Sequence, residues 1–189
     1  SSGSGDLEVT DFVFSIASGT ATLASTTPSA ISKTSQLIWV LDVNLNGTAS
    51  GAETLTVNPA STAIYDANGN AASTSQSNNT VTLNDLTAPA VAITSAATGK
   101  DSTPTVSGTA EANASISAVI AGATYATTAT GGNWSVNTGS ATPASGTLSI
   151  DANGNNSVSV TATDAATNTS IAVTQTLAID TTAPTMTIT

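Results

Sequence analysis

Cysteine and basic side chains are absent or nearly absent from this 189-residue sequence. Without cysteine, the chain can form neither a disulfide framework nor a thiol-based active site. Histidine and arginine are also missing, and two lysines, Lys33 and Lys100, cannot replace the counterions of a nucleic acid or bind an anionic membrane surface. We therefore expect no nucleic-acid partner and no direct membrane contact. The twelve acidic residues give a net charge of −10, and a divalent metal ion is the counterion that this composition favours.

Side chains suited to catalysis are scarce as well. Charged residues make up 7% of the chain, against roughly 25% in an ordinary soluble protein, and aromatic residues make up 3%. No phosphate-binding glycine loop, nucleophile elbow or zinc-protease motif occurs, and no apolar run approaches the ~18 residues of a membrane span. Counting alone leaves open a pair of carboxylates that cleaves glycosides, but such an enzyme needs an aromatic-lined groove. The sequence therefore predicts a protein that is not an enzyme.

Alternating apolar and polar residues predict β-strands and no helices. Every odd position of residues 37–45 is apolar, and residues 157–164 and 171–179 alternate in the same way. Turn-forming sequences separate such stretches at Asn46-Gly47, Asp66 to Asn70, Gly131-Gly132 and Asp151 to Asn155. Short strands that are separated by turns about every 8–12 residues indicate an all-β sandwich or barrel.

A repeated linker divides the chain into modules. Residues 83–94 read LNDLTAPAVAIT and residues 178–189 read AIDTTAPTMTIT, so Asp85 and Asp180 occupy the same place in two copies that are 95 residues apart. One short linker for every ~100 residues is typical of an array of repeated modules. We predict a linker or expression remnant at residues 1–5, domains at residues 6–85 and 86–180, and the start of a further repeat at residues 181–189. We accordingly expect the chain to be part of a longer protein.

The second predicted domain resembles a known family. Residues 101–180 and the linker after them contain DSTPTVSGTAEANASI, GGNWSV, SVSVTATDAATNTS and LAIDTTAPT, which resemble the bacterial immunoglobulin-like repeat of large surface adhesins and biofilm-associated proteins. One departure is Thr167, where that family usually has glycine. Residues 7–85 resemble a related but distinct module at GAETLTV and IYDANGNAAS. The resemblance implies two tandem immunoglobulin-like β-sandwiches in a secreted protein of the bacterial cell surface, with a stalk or adhesive role and no catalysis.

Calcium is the metal ion that we expect at the domain junctions, because it takes oxygen ligands and this chain offers little else. If the strands alternate in direction, three carboxylates converge between the two domains. They are Asp85 in the linker, Glu111 in the turn of GTAEANAS, and Asp164 at the end of SVSVTATD. Their mutual repulsion would require a cation. The same topology places Asp101 and Asp180 at the opposite pole of the second domain, where a further domain would dock.

Two acidic turns allow a simpler interpretation. Asp66 and Asp151 each open an Asp-Ala-Asn-Gly-Asn sequence, in which the aspartate commonly accepts the backbone N–H two residues on. The same sequence imitates the first ligands of a calcium loop, but the glutamate at the twelfth position is absent. We therefore interpret both aspartates as turn caps. Glu53 is a further candidate that could reach the domain junction from the first domain.

Other single residues are also open to two interpretations. Trp39 and Trp134 lie on alternating apolar faces and are interpreted as core residues, with an exposed position in a sugar-binding cleft as the alternative. An isopeptide crosslink could use only Lys33 or Lys100, and we expect Lys33 to lie in a polar loop (AISKTSQ) rather than in a strand core, which disfavours the crosslink.

The expected organisation implies a mechanical role. Calcium at the junctions would remove the bending that a five-residue linker permits, so that neighbouring repeats of the same chain form a stiff rod. Such a stalk would carry a distal domain that binds an unknown surface or glycan ligand. One alternative is a subunit of an extracellular filament or matrix, in which a strand such as residues 185–189 joins the sheet edge of a neighbouring chain. A second alternative is a carbohydrate-binding module.

Overall fold

The protein is built from β-strands. The computed structural model describes residues 6–35 and 37–188, and every regular element in these ranges is a strand, apart from a 3-10 turn at Val9–Asp11. The predicted all-β class is therefore confirmed. The predicted linker at residues 1–5, and Thr189 at the end of the predicted third repeat, lie outside the described residues.

The chain is divided into two compact units, and the boundary falls between Thr87 and Ala88. In the described part of the first unit, the strands are β1 (Phe12–Ala17), β2 (Thr22–Leu23), β3 (Ile31–Lys33), β4 (Trp39–Leu41), β5 (Leu45–Asn46), β6 (Thr54–Pro59) and β7 (Thr80–Thr82). They pair antiparallel in three sheets with the orders β1-β6-β7, β2-β5 and β3-β4. The first unit thus consists of small sheets whose strands are mostly two or three residues long.

The apolar core of the first unit is small. Phe14 on β1 is 1% exposed and Leu55 on the neighbouring strand β6 is 5% exposed. Among the described residues of this unit, the other buried apolar side chains are those of Ala21, Pro28 and Ala49. Glu53 is buried as well, so this core contains a carboxylate among few apolar groups.

The predicted strand at residues 37–45 is divided in the structure. Its residues form β4 and β5, which pair with β3 and β2 in separate sheets. The alternation persists because the odd positions from Trp39 to Leu45 are half-buried, but Leu37 is 93% exposed. The inclusion of Leu37 in this strand is wrong. It lies in the turn before β4, where the Thr34 N–H donates to the Ile38 carbonyl oxygen at 2.9 Å.

The second unit contains longer strands in two sheets. Its described strands are β8 (Val91–Ile93), β9 (Thr98–Gly99), β10 (Thr105–Ala110), β11 (Ser115–Ile120), β12 (Ala123–Thr128), β13 (Asn133–Asn137), β14 (Ser145–Gly146), β15 (Asn155–Thr163) and β16 (Val173–Ile179). One sheet has the order β13-β10-β8 and the other has the order β14-β12-β11-β15-β16-β9. Neighbouring strands are antiparallel except for β16 and β9, which are parallel.

The core of the second unit receives side chains from both sheets. Val106 and Trp134 of the three-stranded sheet belong to one buried cluster with Ile116, Tyr125 and Val160 of the six-stranded sheet. These five side chains are 0–3% exposed. Along β11 and β13, buried positions alternate with exposed ones, as a sheet with one face in a core requires. Two layers that enclose a common core are compatible with a β-sandwich.

The strand predictions in the second unit are confirmed except at two strand ends. Residues 157–164 fall on β15, apart from the last residue, and Val158 and Val160 are buried as the alternation predicts. Leu177 and Ile179 are buried on β16 in the same way. The prediction for Ile171 is wrong, because β16 begins at Val173 and the Ile171 side chain is 87% exposed.

Glycine serves a hairpin turn and a close approach of two strands in the second unit. Gly131 and Gly132 have φ angles of 58° and 84°, which a two-residue hairpin turn needs at both central positions, so the predicted turn is confirmed. Gly108 on β10 is required for a different reason, the space that is available for a side chain. A Cβ atom there would overlap the Ala92 carbonyl oxygen of β8 and would press on the Trp134 ring. Glycine therefore permits the close approach of β8 to β10.

Candidate functional site

The two copies of the repeated linker form the same turn. Asp85 Oδ1 accepts the Thr87 N–H at 2.9 Å, and Asp180 Oδ1 accepts the Thr182 N–H at 2.9 Å. This is the Asx turn that a short aspartate side chain makes with the backbone two residues on. Each of these predicted metal ligands therefore has one carboxylate oxygen engaged within its own linker.

Asp164 closes the turn that follows β15. Its Oδ1 accepts the Asn168 N–H at 2.8 Å, and its Oδ2 accepts the Asn168 side-chain amide at 2.9 Å. The Asn168 amide, with backbone N–H groups of the same turn, lowers the pKa of the Asp164 carboxyl against the opposing effect of burial. Thr167 in this turn has a φ of 72°, a left-handed conformation that favours glycine. The departure from the family pattern at Thr167 thus coincides with a strained backbone.

Glu111 lies at the same end of the second unit as Asp164. It follows β10, and the next strand begins at Ser115, which pairs with Thr163 at the end of β15. The backbone N–H of Glu111 donates to the Ala90 carbonyl oxygen at 3.3 Å, while its side chain is exposed. The strand ends thus place two of the predicted ligands at one pole, as the alternating topology requires.

Asp101 and Asp180 lie at the other end of the second unit. The Asp180 N–H donates to the Gly99 carbonyl oxygen at 3.0 Å, which brings the segment after β16 beside the segment before Asp101. Asp101 Oδ1 accepts the Thr103 N–H at 2.8 Å and the Thr103 hydroxyl at 2.9 Å. These two hydrogen bonds lower the pKa of the Asp101 carboxyl. Both aspartates are exposed.

The five predicted ligands are divided between the two units. Asp85 belongs to the first unit, and Glu111, Asp164, Asp101 and Asp180 belong to the second. Within the part of the chain that the structure describes, no group of three or more acidic side chains is close enough to hold a metal ion. Calcium binding at the junctions therefore stays a prediction.

The two Asp-Ala-Asn-Gly-Asn sequences have the hydrogen bonds of turn caps. Asp66 Oδ1 accepts the N–H groups of Asn68 and Asn70, both at 2.9 Å, and Asp66 Oδ2 accepts the Asn70 side-chain amide at 2.9 Å. The Asn70 side chain is the main reason that the pKa of the Asp66 carboxyl is lowered. Asp151 Oδ1 accepts the Asn153 N–H at 3.0 Å. These bonds are the ones that the turn-cap interpretation predicts.

Glu53 is a buried anchor of the first unit. Its side chain is 0% exposed, and Oε1 accepts the N–H groups of Thr20 at 2.7 Å and Ala21 at 3.0 Å. Oε2 accepts the Ser50 N–H at 2.8 Å, and the Ser50 hydroxyl lies 3.1 and 3.3 Å from the two oxygens. The carboxylate thus ties two loops of the first unit together. Its oxygens are bound inside this unit, and the suggestion that Glu53 reaches the domain junction stays a prediction.

The electrostatics of Glu53 explain how a carboxylate is stable there. Its hydrogen-bond donors are neutral backbone and hydroxyl groups, and such bonds to a charged acceptor are stronger than those between neutral groups. The Ala21 N–H, followed by the Ser50 and Thr20 N–H groups, lowers the pKa of the Glu53 carboxyl from 4.5 to about 2, against the opposing effect of burial. A Cβ atom on Gly19, where φ is 67°, would overlap this carboxylate. The loop therefore closes around an ionised side chain.

The two tryptophans differ in burial, and only Trp134 is a fully buried core residue. Trp134 is 3% exposed and its Nε1–H donates to the Thr109 carbonyl oxygen at 3.2 Å, so the prediction of a core residue is confirmed. Trp39 is half-buried, and the Lys33 ammonium lies 4.9 Å from its ring centroid in a cation–π contact. Lys33 Nζ also lies 2.7 Å from Asp6 Oδ1 in an ion pair. The loop position predicted for Lys33 is wrong, because this residue ends β3, where its side chain is exposed. The alternative of a sugar-binding cleft stays a prediction.

Comparison with known proteins adds no family. The chain matches no model of a known protein family, and it matches no curated protein. Over the described ranges, none of the helical segments has the length and apolar character needed to cross a membrane. The functional proposal therefore depends on the sequence pattern and on the geometry of the turns and linkers.

Proposed function

We propose that the chain is a non-catalytic stalk or adhesive repeat of a secreted bacterial cell-surface adhesin. In this proposal it consists of two tandem immunoglobulin-like β-sandwiches, stiffened by calcium at the junctions between repeats. One observation carries the proposal. The same Asp-x-Thr turn forms at Asp85 and at Asp180, after the last described strand of each β-unit. Repetition of a module together with its linker suits an extended array whose partners are neighbouring repeats of the same chain.

The surface chemistry supports an extracellular spacer. Charged residues make up 7% of the chain, so its exposed faces carry mainly hydroxyl and amide groups. The net charge of −10 and the small number of basic groups would reduce adhesion of the rod to itself and to polyanions. Contact with a surface or glycan would then be the role of a distal domain.

Calcium would act on the carboxylates at the poles of the second unit. Glu111 and Asp164 lie at one pole, and Asp101 and Asp180 lie at the other. Calcium takes six to eight oxygen ligands, roughly, and backbone carbonyls and water complete the set that a few carboxylates begin. Neutralised carboxylates would allow two poles to approach each other, whereas unneutralised ones repel.

Thermal unfolding with and without calcium tests the metal. We expect millimolar calcium to stabilise the chain relative to excess EDTA, by about 2.7 kcal/mol at a hundredfold excess over Kd. Glu111→Gln should reduce this difference, because it removes a charge from a side chain that is exposed. Asp42→Asn, which removes one charge from an exposed side chain of the first unit, is the matched control. Equal unfolding temperatures in calcium and in EDTA would contradict the metal site.

Small-angle X-ray scattering tests the stiffening separately. We expect a larger maximum dimension with calcium than with chelator, since loss of bending extends the array. The same maximum dimension in both conditions would overturn the calcium-stiffened stalk, whatever the thermal result.

A filament subunit is the second candidate, and one observation favours it. Met186 and Ile188 are 86% and 88% exposed. They stand 95 residues after Val91 and Ile93, which pack against the core of the second unit as part of β8. This apolar segment forms no strand in the described residues, and it could add to the sheet edge of another chain. Concentration-dependent assembly in sedimentation experiments, abolished by Ile188→Glu, would place this candidate ahead of the stalk.

A further inference from the structure

In each linker copy, the Asp-x-Thr segment is held by the unit that precedes it. We propose that the Asp-x-Thr segments 85–87 and 180–182 are linker clamps, which set the direction in which the chain leaves each unit and require no metal ion. A clamp here means a segment bound both by its own Asx turn and by hydrogen bonds to a loop of the preceding unit.

The first linker clamp is bound to the loop before β6. The Leu86 N–H donates to the Ala49 carbonyl oxygen at 2.9 Å, and the Thr87 hydroxyl donates to the same oxygen at 3.0 Å. Asp85 also forms an antiparallel bridge with Ser50. Ala49 is 3% exposed, so the acceptor belongs to a buried part of the unit. The clamp is thereby connected to the loop that the buried carboxylate holds in place.

The second linker clamp is bound to the turn before β15. The Thr181 N–H donates to the Ala152 carbonyl oxygen at 3.2 Å and to Asn153 Oδ1 at 2.9 Å. The hydroxyls of Thr181 and Thr182 donate to the same Asn153 oxygen at 3.0 and 2.9 Å. One side-chain amide oxygen therefore accepts three hydrogen bonds from the linker.

The two clamps have the same pattern but different acceptors. In both, the aspartate accepts the threonine N–H, the middle residue donates its N–H to a carbonyl oxygen of the unit, and the threonine hydroxyl donates to an acceptor in the same loop. The acceptor of the hydroxyl is the backbone of Ala49 in one case and the side chain of Asn153 in the other. Because the two loops differ in sequence, the shared element is the Asp-x-Thr segment itself.

The residues after each clamp have little freedom of their own. Ala88-Pro89 and Ala183-Pro184 follow directly, and proline fixes its φ near −65° or so while it disfavours the helical region for the alanine before it. Bending would therefore be confined to a few backbone dihedrals of the Ala-Pro pair. The consequence for the stiffness of an array depends on the proposed stalk function, whereas the clamp does not.

Amide hydrogen exchange of the whole chain in EDTA, followed by NMR, tests the clamps. We expect the Thr87 and Thr182 amides of the unaltered protein to be protected. Thr182→Val should accelerate exchange at residue 182 by roughly five- to tenfold, the effect of one net hydrogen bond, because valine keeps the shape and removes the donor. Thr182→Ser keeps the donor and is the matched control. Thr87→Val and Thr87→Ser form the equivalent pair for the first clamp.

Variants of the acceptor provide an independent measurement. Asn153→Ala should accelerate exchange at Thr181 and Thr182, whereas Asn153→Asp retains an acceptor oxygen and should not. The Val160 amide in the core should exchange equally slowly in all variants that fold. Unchanged exchange at Val160 would show that the second unit is still folded when the clamp is lost.

The outcomes distinguish the clamp from the calcium proposal. Unprotected Thr87 and Thr182 amides in EDTA, or equal exchange in the valine and serine variants, would overturn the clamp. Protection that arises only on addition of calcium would also overturn it, and would support the metal-stiffened stalk. Protection of these amides in EDTA, together with scattering curves that do not change with calcium, would support the clamp and contradict the calcium proposal.

Discussion

The two units of this chain are stabilised in different ways. The first has five buried apolar residues among those described, of which two are alanines and one is a proline, whereas the second has a cluster of fifteen. The first unit also buries two carboxylates, Asp11 and Glu53. Two β-rich units of similar length can therefore rely either on buried polar anchors or on an apolar core.

The difference follows from strand length and pairing. The six- and seven-residue strands of the second unit lie in two sheets, so each alternate side chain faces the opposite layer. Burial of apolar area contributes roughly 25 cal/mol per Å², and it is not sensitive to pH. The two- and three-residue strands of the first unit bring few side chains together. A buried carboxylate with several backbone donors connects its loops instead, and this interaction depends on ionisation.

Loss of the Glu53 charge should have the largest effect and should be confined to the first unit. The pKa of Glu53 is about 2 in the folded chain against an ordinary value of 4.5. Its contribution is therefore complete above pH 4.5 and is lost as the pH falls toward about 2. Glu53→Gln puts an uncharged amide in this place at every pH, and we expect the first unit to lose its unfolding transition at pH 7. Urea unfolding monitored by NMR at Phe14 and Ile116 would report the two units separately.

Asp42→Asn provides the control for this experiment, because it removes one charge from an exposed side chain of the same unit. It should leave the Phe14 transition unchanged. The comparison between the units would fail if Glu53→Gln unfolded both of them, or if it left the first unit as stable as the unaltered protein.

Removal of the Trp134 side chain is the reciprocal test in the second unit. The ring is 3% exposed in the apolar cluster, so Trp134→Ala should lower the free energy of unfolding of this unit by about 3–5 kcal/mol. The same urea experiment should show no change at Phe14. Ser135→Ala, at an exposed position of the same strand, is the control. A decrease of less than about 1 kcal/mol in the free energy of unfolding would mean that the apolar core is not the main source of stability in this unit.

Thr167→Gly should produce the smallest effect, and in the stabilising direction. Thr167 has a φ of 72°. This left-handed conformation destabilises a β-branched residue by about 1 kcal/mol or more, whereas glycine adopts it without strain. We expect a gain of about 0.5–1 kcal/mol in the second unit, allowing for the greater unfolded-state entropy of glycine. Ala166→Gly, in the same turn but outside the left-handed region, should not stabilise. A lower free energy of unfolding for Thr167→Gly would show that the threonine side chain contributes contacts that outweigh the strain.

Local patterns in the sequence predicted much of the fold. Alternation located β15 and most of β16, and the Gly-Gly pair located a hairpin turn, since both depend on neighbouring residues. The same alternation failed at Leu37 and Ile171, which lie just outside strands. An apolar residue at the end of a pattern is buried only if a partner strand continues opposite to it, and partners come from elsewhere in the chain.

The carboxylates show the same division between local and distant causes. Asp66, Asp85 and Asp180 accept hydrogen bonds from residues two positions on, so their turns could be read from the sequence. Glu53 accepts hydrogen bonds from residues 32 and 33 positions away. One signal was present in the sequence, because Glu53 shares the alternating face of Leu55, which points into the core. That signal marks burial but does not identify the donors.

By itself, the sequence determined the β class, the repeated linker and the aspartate turns, because each depends on backbone geometry within a few residues. The tertiary structure decided which loops receive the linker hydroxyls, which carboxylate is enclosed, and which apolar positions find an opposite layer. Those outcomes depend on donors, acceptors and surfaces that are distant in the chain and meet only when it folds.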